Sequence, residues 1–216
     1  MTDIVEYINN PRLPNLIQQF LYHQLSNNSN ASVSDASVST LPAITNKIYL
    51  YSSASSVFFA PSNPCGIHGL RREQIRSTWQ WQGGPLWQDT VLVNTGQGGD
   101  AHLPISGYVV AWVLLFFLFT YACEQYPVAL VWWYILSNRS RHRDRVTGMW
   151  LVECKYRDGE PHLAVVHVDT ILRAVHLLLF FGPEPVILGL TQDNSLDMYR
   201  TFYVNRYADH QLFEIL

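Results

Sequence analysis

Ile105–Leu136, ISGYVVAWVLLFFLFTYACEQYPVALVWWYIL, is the stretch on which the fold turns. Its first part, Ile105–Cys123, carries no charge and approaches the roughly 20 apolar residues that a membrane-crossing helix needs. The second run, Tyr126–Leu136, follows after only Glu124-Gln125 and is too short to cross a bilayer. Both runs are rich in β-branched and aromatic residues, which suit strands. A buried β-hairpin turning near Cys123–Gln125 accounts for both runs, whereas a spanning helix accounts only for the first. Central strands covered on both faces also lose their polar alternation, as this stretch does. The hairpin is the preferred reading, and a membrane-anchored protein with a helix near 105–123 is the alternative.

Outward from the hairpin, the pattern predicts more strands than helices. On its N-terminal side, Ile48–Tyr51, Val57–Phe59 and Asp89–Val93 read as short strands. Gly66–Arg76 (GIHGLRREQIR) reads as a turn leading into a basic helix. On the other side, Gly148–Tyr156 and His162–Val168 read as strands separated by the turn residues Asp158-Gly159, and Val175–Phe181 is β-leaning. Leu13–Leu25 (LPNLIQQFLYHQL) has a Pro in its first turn and apolar residues at three- and four-residue steps, so a helix is expected. A second helix is expected over Ser195–Leu216, capped by Ser195. The fold class predicted is α+β, mainly β: a bent antiparallel sheet or small open β-barrel with an N-terminal helix and a C-terminal packing helix. The organisation expected is a helical arm over 1–26, a Ser/Asn-rich linker over 27–46 and a globular domain over 47–216.

Composition bounds the function. Of 216 residues, 48% are hydrophobic and only 14% charged, which excludes disorder of the whole chain and suggests a surface that is partly covered by something else. A formal net charge of -3 argues against a generally basic nucleic-acid binder but leaves room for a local basic patch. The cysteines Cys65, Cys123 and Cys154 are odd in number and form no CxxC pair, as expected in a reducing compartment. Met1–Asn10 contains Asp3 and Glu6 and no apolar core segment, so secretion is not expected.

Several segments read in order carry a resemblance. They include Ile48–Arg76 (IYLYSSASSVFFAPSNPCGIHGLRREQIR), Trp81–Val93 (WQGGPLWQDTVLV), Thr147–Val152 (TGMWLV), His167–Leu177 (HVDTILRAVHL) and Ser195–His210 (SLDMYRTFYVNRYADH). Together with Leu13–Leu25 and Val113–Trp133, the set resembles the C-terminal region of Plavaka-type transposases, CACTA-related elements of basidiomycete, mushroom-forming fungi. The resemblance spans nearly the whole chain. It implies a transposase whose RNase H-like core, with its three metal-binding acids, lies upstream of the matched region. The chain is then expected to be a non-catalytic tail that scaffolds or contacts DNA, and to be intracellular, nuclear where functional. Its expected partners are the DNA backbone or a separate transposase catalytic core, without cofactor or small-molecule substrate.

The residues themselves offer few catalytic patterns. Asp89, Glu153 and Asp169 sit on or near predicted strands but nothing marks them as a two-metal triad. His167-x-Asp169 with His176 or His210 matches the ligand types of a facial iron triad, yet a strand-end His bonded to backbone beside a turn-starting Asp explains the dipeptide more simply. Gly96–Gly99 lacks the Lys-Ser/Thr of a phosphate loop, and no Gly-x-Ser-x-Gly elbow occurs. The basic groups are the stronger candidates. Arg71, Arg72 and Arg76, and Arg139, Arg141, Arg143 and Arg145, are read as sequence-independent DNA contacts, because arginine groups neutralise phosphates without reading bases. An alternative is a chromatin-binding small β-barrel in which Trp132, Trp133, Tyr134 and Trp150 converge on an aromatic cage.

Overall fold

The decisive stretch is a hairpin. In the computed structural model Tyr108–Tyr121 and Glu124–Leu136 pair antiparallel along their length, and Tyr121 faces Glu124 across a two-residue turn, Ala122-Cys123. The structure describes residues 10–25, 47–61, 68–80, 82–96, 105, 107–137, 143–182, 185–191 and 194–216. The membrane helix near 105–123 is thereby overturned: the segment is strand, and among the described residues no helix is long and apolar enough to cross a membrane.

In chain order the elements are α1 (Leu13–Leu25), β1 (Tyr49–Tyr51), β2 (Ser53–Phe59), β3 (Leu70–Thr78), β4 (Trp87–Gln88) and β5 (Thr90–Asn94). The hairpin strands follow as β6 (Tyr108–Tyr121) and β7 (Glu124–Leu136). Next come β8 (Trp150–Cys154), β9 (Tyr156–Arg157), β10 (Glu160–Pro161), β11 (Leu163–His167), β12 (Ile171–Ala174) and β13 (Leu177–Leu179). The last are α2 (Ser195–Met198), β14 (Thr201–Val204) and α3 (His210–Ile215).

The hairpin is long enough for each half to take a different neighbour. The first half of β6 pairs with β5, and Phe116–Leu118 pair with β1. Likewise Val128–Trp132 of β7 pair with β11, whereas Tyr134–Leu136 pair with β8. The register slips between Val113 and Leu115, a bulge that bends the strand where the two sets of partners diverge. Leu114, at the bulge, packs against the apolar clusters on both sides of it. The result is a nine-stranded antiparallel sheet curled into an open half-barrel, the mainly β fold with N- and C-terminal helices that the sequence predicts.

Both faces of the hairpin are covered, which explains its unbroken hydrophobicity. Ala111, Val113, Phe116, Ala129 and Val131 lie on one face beneath Ile75 of the separate β2–β3–β4 sheet. Phe117, Phe119, Val128 and Leu130 lie on the other, against Leu13, Leu16, Ile17, Phe20 and Leu21 of α1. That helix therefore buries one stripe at the spacing expected of an amphipathic helix. Nearer β8, the same face packs Val110, Trp112, Tyr134, Val152, Phe202 and Val204 with Leu212 of α3.

Two expected helices are corrected. Leu70–Thr78 is strand β3, not a basic helix: it pairs with β2 from Phe59↔Leu70 to Ser53↔Arg76, and Ile75 and Ser77 point inward. Ser195–Leu216 is not one helix either. Its middle, Thr201–Val204, is inserted between β8 and β13 with Phe202 and Val204 fully buried, so tertiary pairing overrides the helical spacing. Only α3 remains helical beyond that strand, capped by Asp209, whose carboxylate accepts from Leu212 N at 2.9 Å.

The turns differ in how well their residues suit them. The β9–β10 hairpin turns on Asp158-Gly159, both left-handed, the residues such a turn favours. Ala122 and Cys123 are also both left-handed, at φ 49° and 67°, with neither Gly nor Asn to ease it. Ala122→Asn with Cys123→Gly is therefore expected to stabilise the fold by about 1 kcal/mol, read as a raised denaturation midpoint. An unchanged or lowered midpoint would show that this turn is not under that strain.

Candidate functional site

Among the described residues, the arginine candidates do not form one surface. On β3, Arg71 faces opposite to Arg72 and Arg76, because neighbours on a strand alternate. Arg71 lies 3.6 Å from Asp209, Arg72 donates to Ser55 Oγ from Nε and Nη2 at 3.2 and 3.0 Å, and Arg76 is half-buried. Arg143 donates to the Leu216 carbonyl and lies over the Trp150 ring at 5.5 Å, so it holds the C-terminal segment. Arg145 is exposed, and Arg139 and Arg141 lie outside the described residues.

The four aromatic candidates do not line one space. Trp132 stacks on Trp112 with centroids 5.9 Å apart and donates to the Lys155 carbonyl. Tyr134 is buried edge-on against Phe202, and Trp150 donates to the Leu216 carbonyl at 3.2 Å. Trp133 packs with the cluster on the opposite face of the sheet. Strand alternation separates it from its neighbours on β7.

The acids are equally dispersed. Asp89 accepts from Trp87 Nε1 and from the backbone N–H of Arg76, and Glu153 accepts from Ser137. His167 Nδ1 accepts from the backbone N–H of Asp169 at 3.2 Å and caps a short 3-10 turn, the simpler of the two readings given to that dipeptide. His176 contacts Asn205, whereas His210 lies 3.1 Å from Glu214. Among the described residues, no group of three or more His, Cys, Asp or Glu is placed to hold a metal ion.

Two clefts bring charge together instead. The first, of about 730 Å³, lies between α1 and the β9–β10 hairpin; Arg12, Arg157, His23 and His162 line it together with the carboxylates Asp158 and Glu160, and Asp158 lies 3.9 Å from Arg157. Arg12 is anchored by a hydrogen bond from Nη1 to the Pro161 carbonyl at 3.1 Å. Burial lowers the pKa of His162, and the charges of Lys155, Arg157 and Arg12 lower it further. Burial likewise lowers that of Lys155, with Arg157 adding to it. The charges of Lys155, Arg157 and Arg12 thus all act on the His162 imidazole, whose Nδ1 has no hydrogen-bond partner among the described residues. Sequence reading missed this group because Lys155 and Arg157, two residues apart, are joined by Arg12 only when α1 docks beside β9 and β10.

The second cleft, of about 400 Å³, lies between β4–β5 and the C-terminal segment, and four carboxylates line it: Glu73, Asp89, Asp197 and Asp209. Arg173 occupies its floor, 2% exposed, with bidentate hydrogen bonds to Asp209 at 3.0 and 2.5 Å and another to Gln211 at 2.7 Å. Glu73 lies 3.7 Å from the same guanidinium, which also sits 4.5 Å over the Phe58 ring. Burial would raise the Asp209 pKa, but hydrogen bonds from Arg173 and Leu212 N, with the charges of Arg173 and Arg71, bring it below the ordinary value. Asp197 has no such compensation, and burial raises its pKa.

The fold thus defines a mainly β half-barrel with one cleft of mixed charge beside α1 and one acidic cleft. The chain matches no protein-family model, no curated protein and no solved structure.

Proposed function

We propose that the chain is a non-catalytic C-terminal module of a Plavaka-type, transposon-derived protein that contacts the DNA backbone without reading sequence. The ordered resemblance over nearly the whole chain supports the first half of this reading. The cleft beside α1 supports the second, and the observation that carries it is Arg12 and Arg157 in its wall, with Lys155 close enough to His162 for all three charges to lower its pKa. Guanidinium and ammonium groups set around a concave surface neutralise phosphates and release their counterions, which gives affinity that falls with salt. Such contacts position a duplex but carry no base information. Arg71 and Arg143 serve internal contacts, so the cleft is proposed in place of those two, while Arg72 and Arg145 remain exposed.

The test is retention of the full chain on double-stranded DNA across a salt series. Arg12→Ala and Arg157→Ala should each weaken binding to all sequences alike and reduce the slope of log affinity against log salt by about 1. Arg157 is 75% exposed, so its loss leaves the fold intact. Bound DNA should also raise the pKa of His162, followed by NMR titration. Slopes unchanged in both variants but reduced by Arg72→Ala would move the contact to the β2–β3 face. No retention even at low salt would reject DNA binding.

A further inference from the structure

Histidine is the side chain that changes charge near neutral pH, and the cleft beside α1 has one on each wall: His23 on α1, and His162 between β10 and β11. His162 is firmly held. Its backbone N–H donates to the Lys155 carbonyl at 2.9 Å, and its carbonyl accepts from Trp133 N at 3.2 Å. Its Nδ1 is buried and has no hydrogen-bond partner among the described residues. Charged groups face it from the surrounding elements: Arg12 at the start of α1, Lys155 between β8 and β9, Arg157 on β9, Asp158 in the turn and Glu160 on β10. Both carboxylates are exposed to water, which screens their pull. Burial, and after it the charges of Lys155, Arg157 and Arg12, therefore set the direction and lower the His162 pKa. In the free chain the uncharged ring is thus favoured at neutral pH.

A phosphate placed between Arg12 and Arg157 changes this balance. Its negative charge offsets the guanidinium field, and its oxygens accept the hydrogen bonds that a protonated imidazole donates. Each effect favours the charged ring. Resting on the DNA reading above, we propose that this cleft takes up a proton on His162 together with a backbone phosphate, so that DNA is held more tightly as the pH falls. Because phosphate favours the protonated ring, the His162 pKa is higher in the complex than in the free chain. Above the bound-state value no proton is taken up, and affinity does not respond to pH. Between the two values affinity rises as pH falls, and below the free-state value the gain is complete. A difference of one unit between them corresponds to about tenfold in affinity. Backbone phosphates keep a single charge across this range, so the response belongs to the protein.

The test is the affinity of the full chain for a double-stranded oligonucleotide, at fixed salt, from about pH 8 down to about pH 5.5. Binding should tighten by about three- to tenfold across that range. His162→Gln should remove most of the gain, whereas His23→Gln should keep most of it. A second measurement needs no variant: calorimetric titration of the wild-type chain with the same DNA near pH ~6.5, in two buffers of different ionisation enthalpy, should show net proton uptake. Arg157→Ala, on a side chain 75% exposed, should move the onset of the gain to higher pH, because one charge opposing protonation is gone. Four outcomes would each overturn the inference and leave the DNA contact standing: retention without pH dependence, an equal gain in wild type and His162→Gln, loss of the gain in His23→Gln instead, or binding without proton uptake. Absence of retention at every pH, even at low salt, would reject the DNA contact and this inference with it.

Discussion

Arg173→Ala should lower stability by about 3–5 kcal/mol, read as a large fall in the urea midpoint. The guanidinium is 2% exposed and holds together three parts of the fold: β12, from which it projects, Glu73 of β3, and the Asp209 and Gln211 pair at the start of α3. Truncation leaves the Glu73 and Asp209 carboxylates, each 22% exposed, without the cation between them, with only Arg71 at 3.6 Å from Asp209, and an uncompensated, largely buried charge costs far more than an intact pair contributes. Arg173→Lys should recover only part of the loss, because an ammonium cannot bridge both Asp209 oxygens in the plane that Nη1 and Nη2 now occupy. The same network sets an acid limit. Asp209 has a folded-state pKa below its unfolded one, so its contribution is complete above the unfolded value and is lost as pH falls through the folded value. Wild-type stability should therefore decline below about pH 4, and Asp209→Asn should flatten that decline. A loss of under about 1 kcal/mol in Arg173→Ala would mean that the charges are solvated rather than buried.

Much of the fold was legible, for a local reason. The only charge in 105–136 is at Glu124, at the start of β7 and directly after the Ala122-Cys123 turn that divides two strands of matching length. Asp158-Gly159 and the stripe on Leu13–Leu25 are similarly local signals. The misreadings arose where the deciding partner is distant. LRREQIRST alternates inward Ile75 and Ser77 with outward Arg72 and Gln74, but four charges in six residues mask that period until β2 is placed beside it. TFYV reads as a helical stripe until β8 and β13 claim it.

The candidate sites were harder for the same reason. Arg173 appears in sequence as an ordinary charge in LRA, yet its carboxylate partner comes 36 residues later. Arg12 meets the Pro161 carbonyl across 149 residues, so of the cleft beside α1 only the pair Lys155 and Arg157 is visible in sequence. Conversely, the clustered signals that were visible dissolve on folding. Adjacent positions in a strand point to opposite faces, which parts Trp132 from Trp133 and Arg71 from Arg72.

That alternation yields the sharpest contrast between neighbouring residues. Phe119→Ala should cost about 3–5 kcal/mol, the range for removing a fully buried aromatic ring. Its ring lies 5.3 Å from Tyr126, 6.2 Å from Phe117 and 6.3 Å from Phe20, so truncation opens a cavity between the hairpin and α1 that neither can easily collapse into. Leu118, one residue earlier, points to the other face, where it is only half-buried beside the short edge strand β1. Leu118→Thr introduces a β-branched residue suited to a strand and should cost about 1 kcal/mol or less. Paired denaturation curves of the two variants measure the difference directly. In a hairpin the two costs must diverge severalfold, because one face near the tip is sealed by a helix and the other is partly open to water. Equal costs would mean that the two residues share an environment, as they would on a rod surrounded by a uniform apolar medium, and the strand assignment of Tyr108–Tyr121 would fall with them.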